Sequence, residues 1–461
     1  MYKNISNLAE LIRCPYCGDK VQYLHYGTDR LNNNYGVLLS GCAEFPVVAD
    51  IPVLGIGVVG NHGESNIELV DYIKTGQYEK ALFAMVIPSP KLIEHQSGFL
   101  LSIKNKLIKR NSLSTRKIEA ILKATKRFND ICNDPTVEEM LRFYFMENGN
   151  NRKSLYEYFL YRYGLPRHIT TLGSLQIIKD NSKPIVEIGC GFGHMTREIL
   201  KHVNNSFVVG IDKSFFALYV AKRMTAPKAE FLCYDVNKGI PFEDDTFYAS
   251  VAIDGIHYIE QKYNIIHEMK RVISSDGIIM LISSRNANIK FDKAGIPLTP
   301  GGYKNLIGNT PNRIIADSEI VLSYLENRGP DLLIQTSIDN LKDEPLLTII
   351  ASNDESKFTW YEELEKDNFI NKRLSLNPLY QSIEIENNEH IVYHRRFPPN
   401  YNKNDSVDCS VYLPEKVYIE RENMYGINND DKYKIKSNLI DNFIYLDLPD
   451  RYCFNQSYKY C

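Results

Sequence analysis

Long apolar runs are scarce in this chain of 461 residues. The longest apolar region, near Ile51 to Val59, is too short to cross a bilayer, and the opening Met1-Tyr2-Lys3-Asn4-Ile5-Ser6 lacks the apolar segment of a signal peptide. No membrane partner is expected, and a cytoplasmic location is. A dominant charge sign is also missing: 54 Lys and Arg face 57 Asp and Glu, interspersed, for a formal net charge of -3. That balance gives no general reason to expect nucleic-acid binding, so small or neutral partners fit better. The nine cysteines show no disulfide-framework spacing, and the odd count leaves at least one unpaired within the chain. Reduced thiols are the default. No repeat of solenoid period occurs.

An apolar fraction of 44% is present, enough for sizeable cores, and the length favours two or three folded units. The most informative stretch is Lys183-Pro184-Ile185-Val186-Glu187-Ile188-Gly189-Cys190-Gly191-Phe192-Gly193, followed by His194-Met195-Thr196-Arg197-Glu198-Ile199-Leu200. The apolar run after a proline reads as a buried strand, the alternating glycines as a tight turn, and Met195, Ile199 and Val203 as a helix face. Glycine serves where the backbone turns left-handed or approaches a ligand without a Cβ, and the helix start offers unpaired N–H groups. A nucleotide-like ligand belongs at such a turn. A dinucleotide fingerprint needs a third glycine where His194 or Thr196 stands, which weakens a nicotinamide or flavin reading.

Further strands end in acids. Phe207 to Asp212 is a second apolar strand, followed by Lys213 and a helical pattern through Phe215, Leu218, Tyr219, Ala221 and Lys222. Ala229 to Tyr234 leads into Asp235-Val236, and the stretch from Phe242 to Ile259 carries Asp254 and His257. The helix Gln261 to Val272, a turn at Ser274-Ser275-Asp276-Gly277 and the strand Ile278 to Ser284 follow. Parallel strands joined by helices place their carboxyl ends on one edge, where an open α/β fold binds its ligand, so Glu187 and Asp212 face one crevice. A carboxylate at that edge can accept hydrogen bonds from two ribose hydroxyls. Asp235 has an alternative role as a helix or turn cap.

The pattern E-x-G-x-G-x-G resembles the first motif of class I S-adenosylmethionine (SAM) methyltransferases. Phe242-Glu243-Asp244-Asp245-Thr246-Phe247-Tyr248 through His257-Tyr258-Ile259 resembles the fourth-strand motif of small-molecule methyltransferases of the ubiquinone-biosynthesis type, with Tyr248 departing from the usual aspartate. The resemblance runs in order from Pro184 to Ser284. It implies an α/β fold with a Rossmann-like seven-stranded sheet and SAM as cofactor. It places Glu187 near the ligand's amino group, Gly189, Cys190, Gly191 and Gly193 beneath its methionine and ribose parts, Asp212 with Lys213 at the ribose, and Asp235 and Val236 at the adenine. Leu346 to Ala351 is a candidate sixth strand and Glu389 to Pro398 a candidate seventh, while the region near Ile315 to Leu325 reads as a helix within an insertion.

Methyl transfer from a sulfonium is an in-line displacement, in which positioning supplies much of the rate. An oxygen or nitrogen acceptor that must lose a proton is served by a base at the strand ends: His257 first, Asp254 second, with Asp254 also counted at the cofactor site. His257 packed or hydrogen-bonded at a helix start is the alternative. His194 is expected to line the cofactor site, and Phe192 to wall the pocket or support the turn. The expected activity is methylation of a small-molecule acceptor; the competing reading is a non-catalytic scaffold of the same fold that recruits a partner.

Near the start, Cys14-Pro15-Tyr16-Cys17-Gly18 is a turn of the kind that presents two thiolates to one metal ion, and Cys42 stands on a return segment. With Phe45 to Leu54, this segment resembles the small Trm112-like zinc-ribbon domains, and Ser40 stands where a further cysteine is usual. Cys14, Cys17 and Cys42 are thus the candidate zinc ligands. Three thiolates leave a tetrahedral shell one short, so His25, another nearby side chain or water completes it, or the ribbon persists without metal. The implied organisation is a zinc-ribbon-like module over 1–60, a helical region over 61–165, the SAM-binding core over 166–355 and an extension over 356–461. The basic cluster from Lys104 to Arg116 reads as a solvated face.

Overall fold

The computed structural model describes residues 3–89, 105–147, 152–179, 183–203, 207–290, 295–364, 374–386, 390–397, 409–420 and 442–453. The expected loop at Asn148 to Asn151 and Lys104 lie outside them, and no side chain is described for residues 105–116. The chain divides into two compact units. One comprises Met1–Gln22, Ser40–Cys42 and Tyr161–Asp450; the other comprises Tyr23–Leu39, Ala43–Leu160 and Arg451–Cys461. Among the described residues, no helix is long and apolar enough to cross a membrane.

The second unit is built on a four-stranded sheet of β1 (Gln22–Thr28), β2 (Asn34–Leu39), β3 (Glu44–Val48) and β4 (Ile51–Pro52), in that spatial order and starting within it from Tyr23. Helices follow at Asn66–Lys74, Tyr78–Val86, Asn105–Ile131, Val137–Phe145 and Lys153–Leu160. Two starts are fixed by reciprocal caps, Ser65 with Glu68 and Thr136 with Glu139, each side chain satisfying the other residue's backbone N–H. Residues near the chain's end close this unit. Val137 N–H donates to the Arg451 carbonyl (3.0 Å), Glu138 N–H to that of Tyr452 (2.9 Å), and the buried Tyr452 hydroxyl to that of Phe159 (2.9 Å).

The first unit holds a seven-stranded sheet of β5 (Ile185–Ile188), β6 (Val208–Asp212), β7 (Glu230–Cys233), β8 (Phe247–Ile253), β9 (Ile273–Arg285), β10 (Asn312–Ala316) and β11 (Leu346–Ser352), in the order β10-β11-β9-β8-β5-β6-β7. From β9 across to β7 every pairing is parallel, whereas β11 runs antiparallel to both β9 and β10. All seven residues of β8 are buried, as expected of a parallel strand covered on both faces. Ile185, Val251, Ile253, Met280, Ile282 and Ile350 share a core with Met195, Ile199 and Ile320.

Two expectations are corrected by this topology. The outermost strand is not supplied by Glu389 to Pro398: His390–Arg395 pairs instead with Tyr380–Glu386 and Lys416–Glu420 in a separate three-stranded sheet. The edge position belongs to β10, so the helix expected near Ile315 starts at Asp317. The turn expected at Ser274 to Gly277 lies inside β9, at a shift of register: Phe247 pairs with Ile273, but Ala249 already pairs with Ile278.

One helix, Pro166–Leu175, is buried along its whole length. Pro166 stands at its first positions, where the missing N–H costs nothing. Thr170, Thr171 and Ser174 donate their hydroxyls to carbonyls four residues back, which removes the penalty of burying them. Gly173 lets this helix approach Asp317–Leu325 closely, since a Cβ there would lie 2.8 Å from Ile320.

Candidate active site

The glycine turn is built as its sequence demands. Gly189, Gly191 and Gly193 have φ of 74°, 53° and 74°, in the left-handed region that disfavours a side chain. A Cβ on Gly189 would project into open space, whereas one on Gly193 would stand 2.8 Å from the Ala221 Cβ. The turn is therefore open on one side and packed on the other. Gly193 is also the N-cap of the helix His194–His202.

Of the strand-end acids, Asp212 meets this turn directly. Gly189 N–H donates to the Ile211 carbonyl (2.8 Å), which sets the ends of β5 and β6 level. Asp212 accepts from the backbone N–H of Gly191 (3.0 Å) and of Ser214 (2.8 Å), so its carboxylate ties the turn to β6. Burial raises its pKa, against the pull of those N–H groups. Tyr234 N–H donates to the Asp212 carbonyl (3.0 Å), bringing β7 level as well. Asp235 then caps a short turn, accepting from the Asn237 N–H (3.1 Å) and side-chain amide (2.9 Å). Asn237 in turn accepts from the Glu260 and Gln261 N–H groups, linking the loop after β7 to the one after β8. Lys213 is exposed, while Val236 and Cys190 are buried.

Glu187 is buried and accepts a 2.5 Å hydrogen bond from the Thr196 hydroxyl. Burial pushes its carboxyl up to about 7, and Asp212 adds to this, against Thr196 and the Arg162 guanidinium. His194 is buried beneath the turn with its ring 5.1 Å from that of Tyr163, and Phe192 packs edge-on to Phe216 at 6.5 Å. Of the aromatic residues ahead of the core, Tyr163 thus serves packing.

Asp254 adopts φ of 50° at the end of β8. Arg167 approaches it at 2.7 Å and Arg162 at 4.0 Å, all three side chains being buried. These two arginines escaped the sequence reading. A charged residue beside a proline at a helix start looks solvated, and the contact spans 87 positions. Their only signal is the rest of that helix, which carries no charged face. His257 is wholly buried, with Nε2 3.6 Å from Asp254 Oδ1 and no hydrogen bond to either ring nitrogen. Burial lowers its pKa to about 3, Asp254 opposing and Arg285 and Arg167 assisting. The imidazole is neutral. Next to it Tyr258 is half exposed and accepts from Arg285 at 2.6 Å.

The turn is thus open at Gly189, with the ends of β5, β6 and β7 held level beside it. Residues 185–277 match the family model described as a methyltransferase domain. Residues 185–277 are a methyltransferase domain of the SAM-dependent class. Over 98 residues the chain is 31% identical to 2-methyl-6-phytyl-1,4-hydroquinone methyltransferase 1, chloroplastic, of Oryza sativa subsp. japonica, a stretch covering 21% of this chain and 30% of that relative. The chain therefore spans less than a third of the length of that curated relative. Among solved structures, a chain of the complex between the Haloferax volcanii Trm112 methyltransferase activator and a methyltransferase is similar at 14% identity and TM-score 0.33, over 43% of this chain and 95% of that one. A SAM-dependent methyltransferase from Aquifex aeolicus is similar at 14% identity and TM-score 0.30, over 41% and 91%. The methyltransferase domain holds Glu187, Asp212, Asp235, Asp254 and His257 within its matched residues.

In the same unit, the thiols of Cys14, Cys17 and Cys42 lie within 4.8 Å of one another. Cys14 Sγ and Cys42 Sγ are 3.5 Å apart, and Ser40 Oγ is 3.7 Å from Cys42 Sγ. Cys14 is buried and the other two are exposed. Three converging thiols with oxygen donors beside them fit a thiophilic metal ion. The His25 ring, in the other unit, is 3.2 Å from the Tyr23 hydroxyl.

Proposed function

We propose that this protein transfers a methyl group from SAM to an oxygen or nitrogen of a small-molecule acceptor. The observation that carries the reading is the tie from Asp212 to the Gly191 N–H, which fixes an acid and an open glycine turn in one place. On this reading Asp212 holds the ribose hydroxyls, with Lys213 beside it. Glu187 faces the amino group, Gly189, Cys190, Gly191 and Gly193 floor the site, and Asp235 and Val236 flank the adenine. When bound, SAM supplies an electrophilic methyl carbon, and the protein's work is to orient the acceptor and exclude water.

Asp254 and His257 are the basic groups of this edge. His257 is in the neutral form that takes a proton, and it lies behind Asp254. Its burial and the hold of Arg167 on Asp254 favour a second reading, a scaffold that binds SAM without transferring its methyl group. Incubation with methyl-labelled SAM and fractionated host extract separates the two: label in a small molecule supports transfer, and saturable SAM binding without labelled product supports the scaffold. Asp212→Asn should weaken SAM binding at least about tenfold by calorimetry, the scale of one charged hydrogen-bond pair. Unchanged affinity removes the ribose assignment. The similarity to the ubiquinone-biosynthesis type supports a small acceptor, and residues 1–60 are read as a Trm112-like module that takes zinc at Cys14, Cys17 and Cys42.

A further inference from the structure

The stretch that follows β7 is gripped from two sides. Its first turn carries Asp235: Lys238 N–H donates to the Asp235 carbonyl (3.0 Å) and Gly239 N–H to that of Val236 (3.1 Å). Beyond Gly239, the helix Lys262–Val272 takes one side. Arg271 donates to the carbonyls of Ile240 and Phe242 and to Asp244 Oδ1, each at 2.8 Å, while Glu268 accepts from the Ile240 N–H (2.9 Å). A guanidinium, with five donors in a rigid fork, is suited to holding several carbonyls at once.

The other side belongs to the start of the chain, which lies in the same compact unit. Ile12 and Arg13 form the middle rung of a small antiparallel stitch: Arg13 bridges Lys20 on one side, and Ile12 bridges Phe242 on the other. Arg13 N–H donates to the Pro241 carbonyl (2.9 Å). Ile12 and Phe242 are both buried, and Phe242 packs edge-on to Phe247 of β8 at 5.0 Å. The Arg13 side chain ties these pieces together. It donates to the carbonyls of Glu10 (3.1 Å) and Ile12 (2.8 Å), around the end of the helix Lys3–Leu11, and through Nε to Glu243 (2.7 Å). Only 11% of that side chain is exposed, against 56% for Glu243, so the link is anchored at its arginine end.

We propose that Arg13 is a positioning residue for the cofactor: it holds the stretch after β7 so that the Asp235 carboxylate meets the adenine. This rests on the reading of SAM as the ligand, with Asp235 and Val236 at its base. Both hydrogen bonds from Asn237 go to Asp235 Oδ1. A carboxylate accepts from the 6-amino group of adenine, a donor, and is repelled by the 6-oxo group of hypoxanthine, an acceptor. Discrimination between the two bases therefore depends on where that carboxylate stands. Cutting the link from Arg13 to Glu243 leaves the backbone bridges in place but frees the far end of the stretch.

The test measures, by calorimetry on the full chain, the affinities of S-adenosylhomocysteine and S-inosylhomocysteine, which differ only at that position of the base. The wild type should prefer the adenine compound at least about tenfold, the scale of a hydrogen bond to a charged group. Arg13→Ala should bind the adenine compound about fivefold more weakly, the scale of residues that act on a ligand through others, with little change for the inosine compound. The preference therefore shrinks. Glu243→Gln should do the same, and the double variant should be no weaker than Arg13→Ala, since both changes break one link. Asp212→Asn should weaken both compounds alike. If the wild type binds neither compound, the cofactor reading falls and the role of Arg13 with it. If the wild type binds the adenine compound but shows no preference, or Arg13→Ala keeps the preference, only the role of Arg13 is overturned. An equal loss for both compounds in Arg13→Ala also overturns it, being what a loosened fold would give. An unfolded Arg13→Ala protein is recognised by circular dichroism, and Glu243→Gln, at an exposed side chain, then decides by the same ratio.

Discussion

Single carboxylates show how burial sets the chemistry of this site. Glu187 has its folded-state pKa raised from the usual 4.5 to about 7, chiefly by burial. A raised acid favours folding most below its unfolded pKa, and that contribution fades as pH rises through the folded value. Stability of the cofactor-free protein should therefore fall between about pH 4.5 and pH 7, by on the order of 3 kcal/mol from this group. Urea midpoints of Glu187→Gln should fall less over that range than those of the wild type. Arg167 offers a second test. Replacing it with Met removes the 2.7 Å partner of the buried Asp254, with Arg162 at 4.0 Å still beside it, and should destabilise by about 3 kcal/mol, the scale on which breaking a buried pair acts. Adding Asp254→Asn should recover part of the loss in urea unfolding, a coupling that two independent residues would not show.

Elements obey simpler rules, and most were legible in advance. Strands β5 to β8 stand where apolar runs with an acid at or beside their ends placed them, and β9 contains the expected run Ile278 to Ser284 but starts earlier, at Ile273, because buried parallel strands write themselves as continuous apolar sequence whose ends are set by pairing. Less legible was β10, Asn312–Ala316, whose five residues carry two polar side chains and run straight into a helix. A short apolar run of this kind has no periodicity of its own, and only pairing with β11 makes it a strand. The run His390–Arg395 has good strand character, but sequence does not say which sheet it joins. Likewise the acids of the site were readable as strand ends, whereas the arginines that neutralise Asp254 were not, since their partner lies far along the chain. The glycine turn gives an element-scale prediction. Gly193→Ala puts a methyl group 2.8 Å from Ala221 and a side chain at φ of 74°, so it should cost about 1–3 kcal/mol in thermal or urea unfolding. Pairing it with Ala221→Gly should remove the collision but not the backbone strain.

At the scale of the molecule, only one of the two units carries the glycine turn, the acids and the thiol cluster. A ligand that binds the folded form alone at one hundred times its Kd adds about 2.7 kcal/mol of stability. Saturating SAM should accordingly raise the unfolding transition of that unit by several degrees in calorimetry, with a shift about half as large or smaller for Asp212→Asn at the same concentration, since a tenfold weaker affinity leaves about 1.4 kcal/mol. The other unit has its own dependence on chain order. Its sheet and helices are encoded before residue 161, yet the N–H groups of Val137 and Glu138 find their carbonyls only at Arg451 and Tyr452. On the ribosome, therefore, the start of the helix at Val137 lacks these two carbonyl acceptors until residues 451 and 452 have been made, some three hundred positions later.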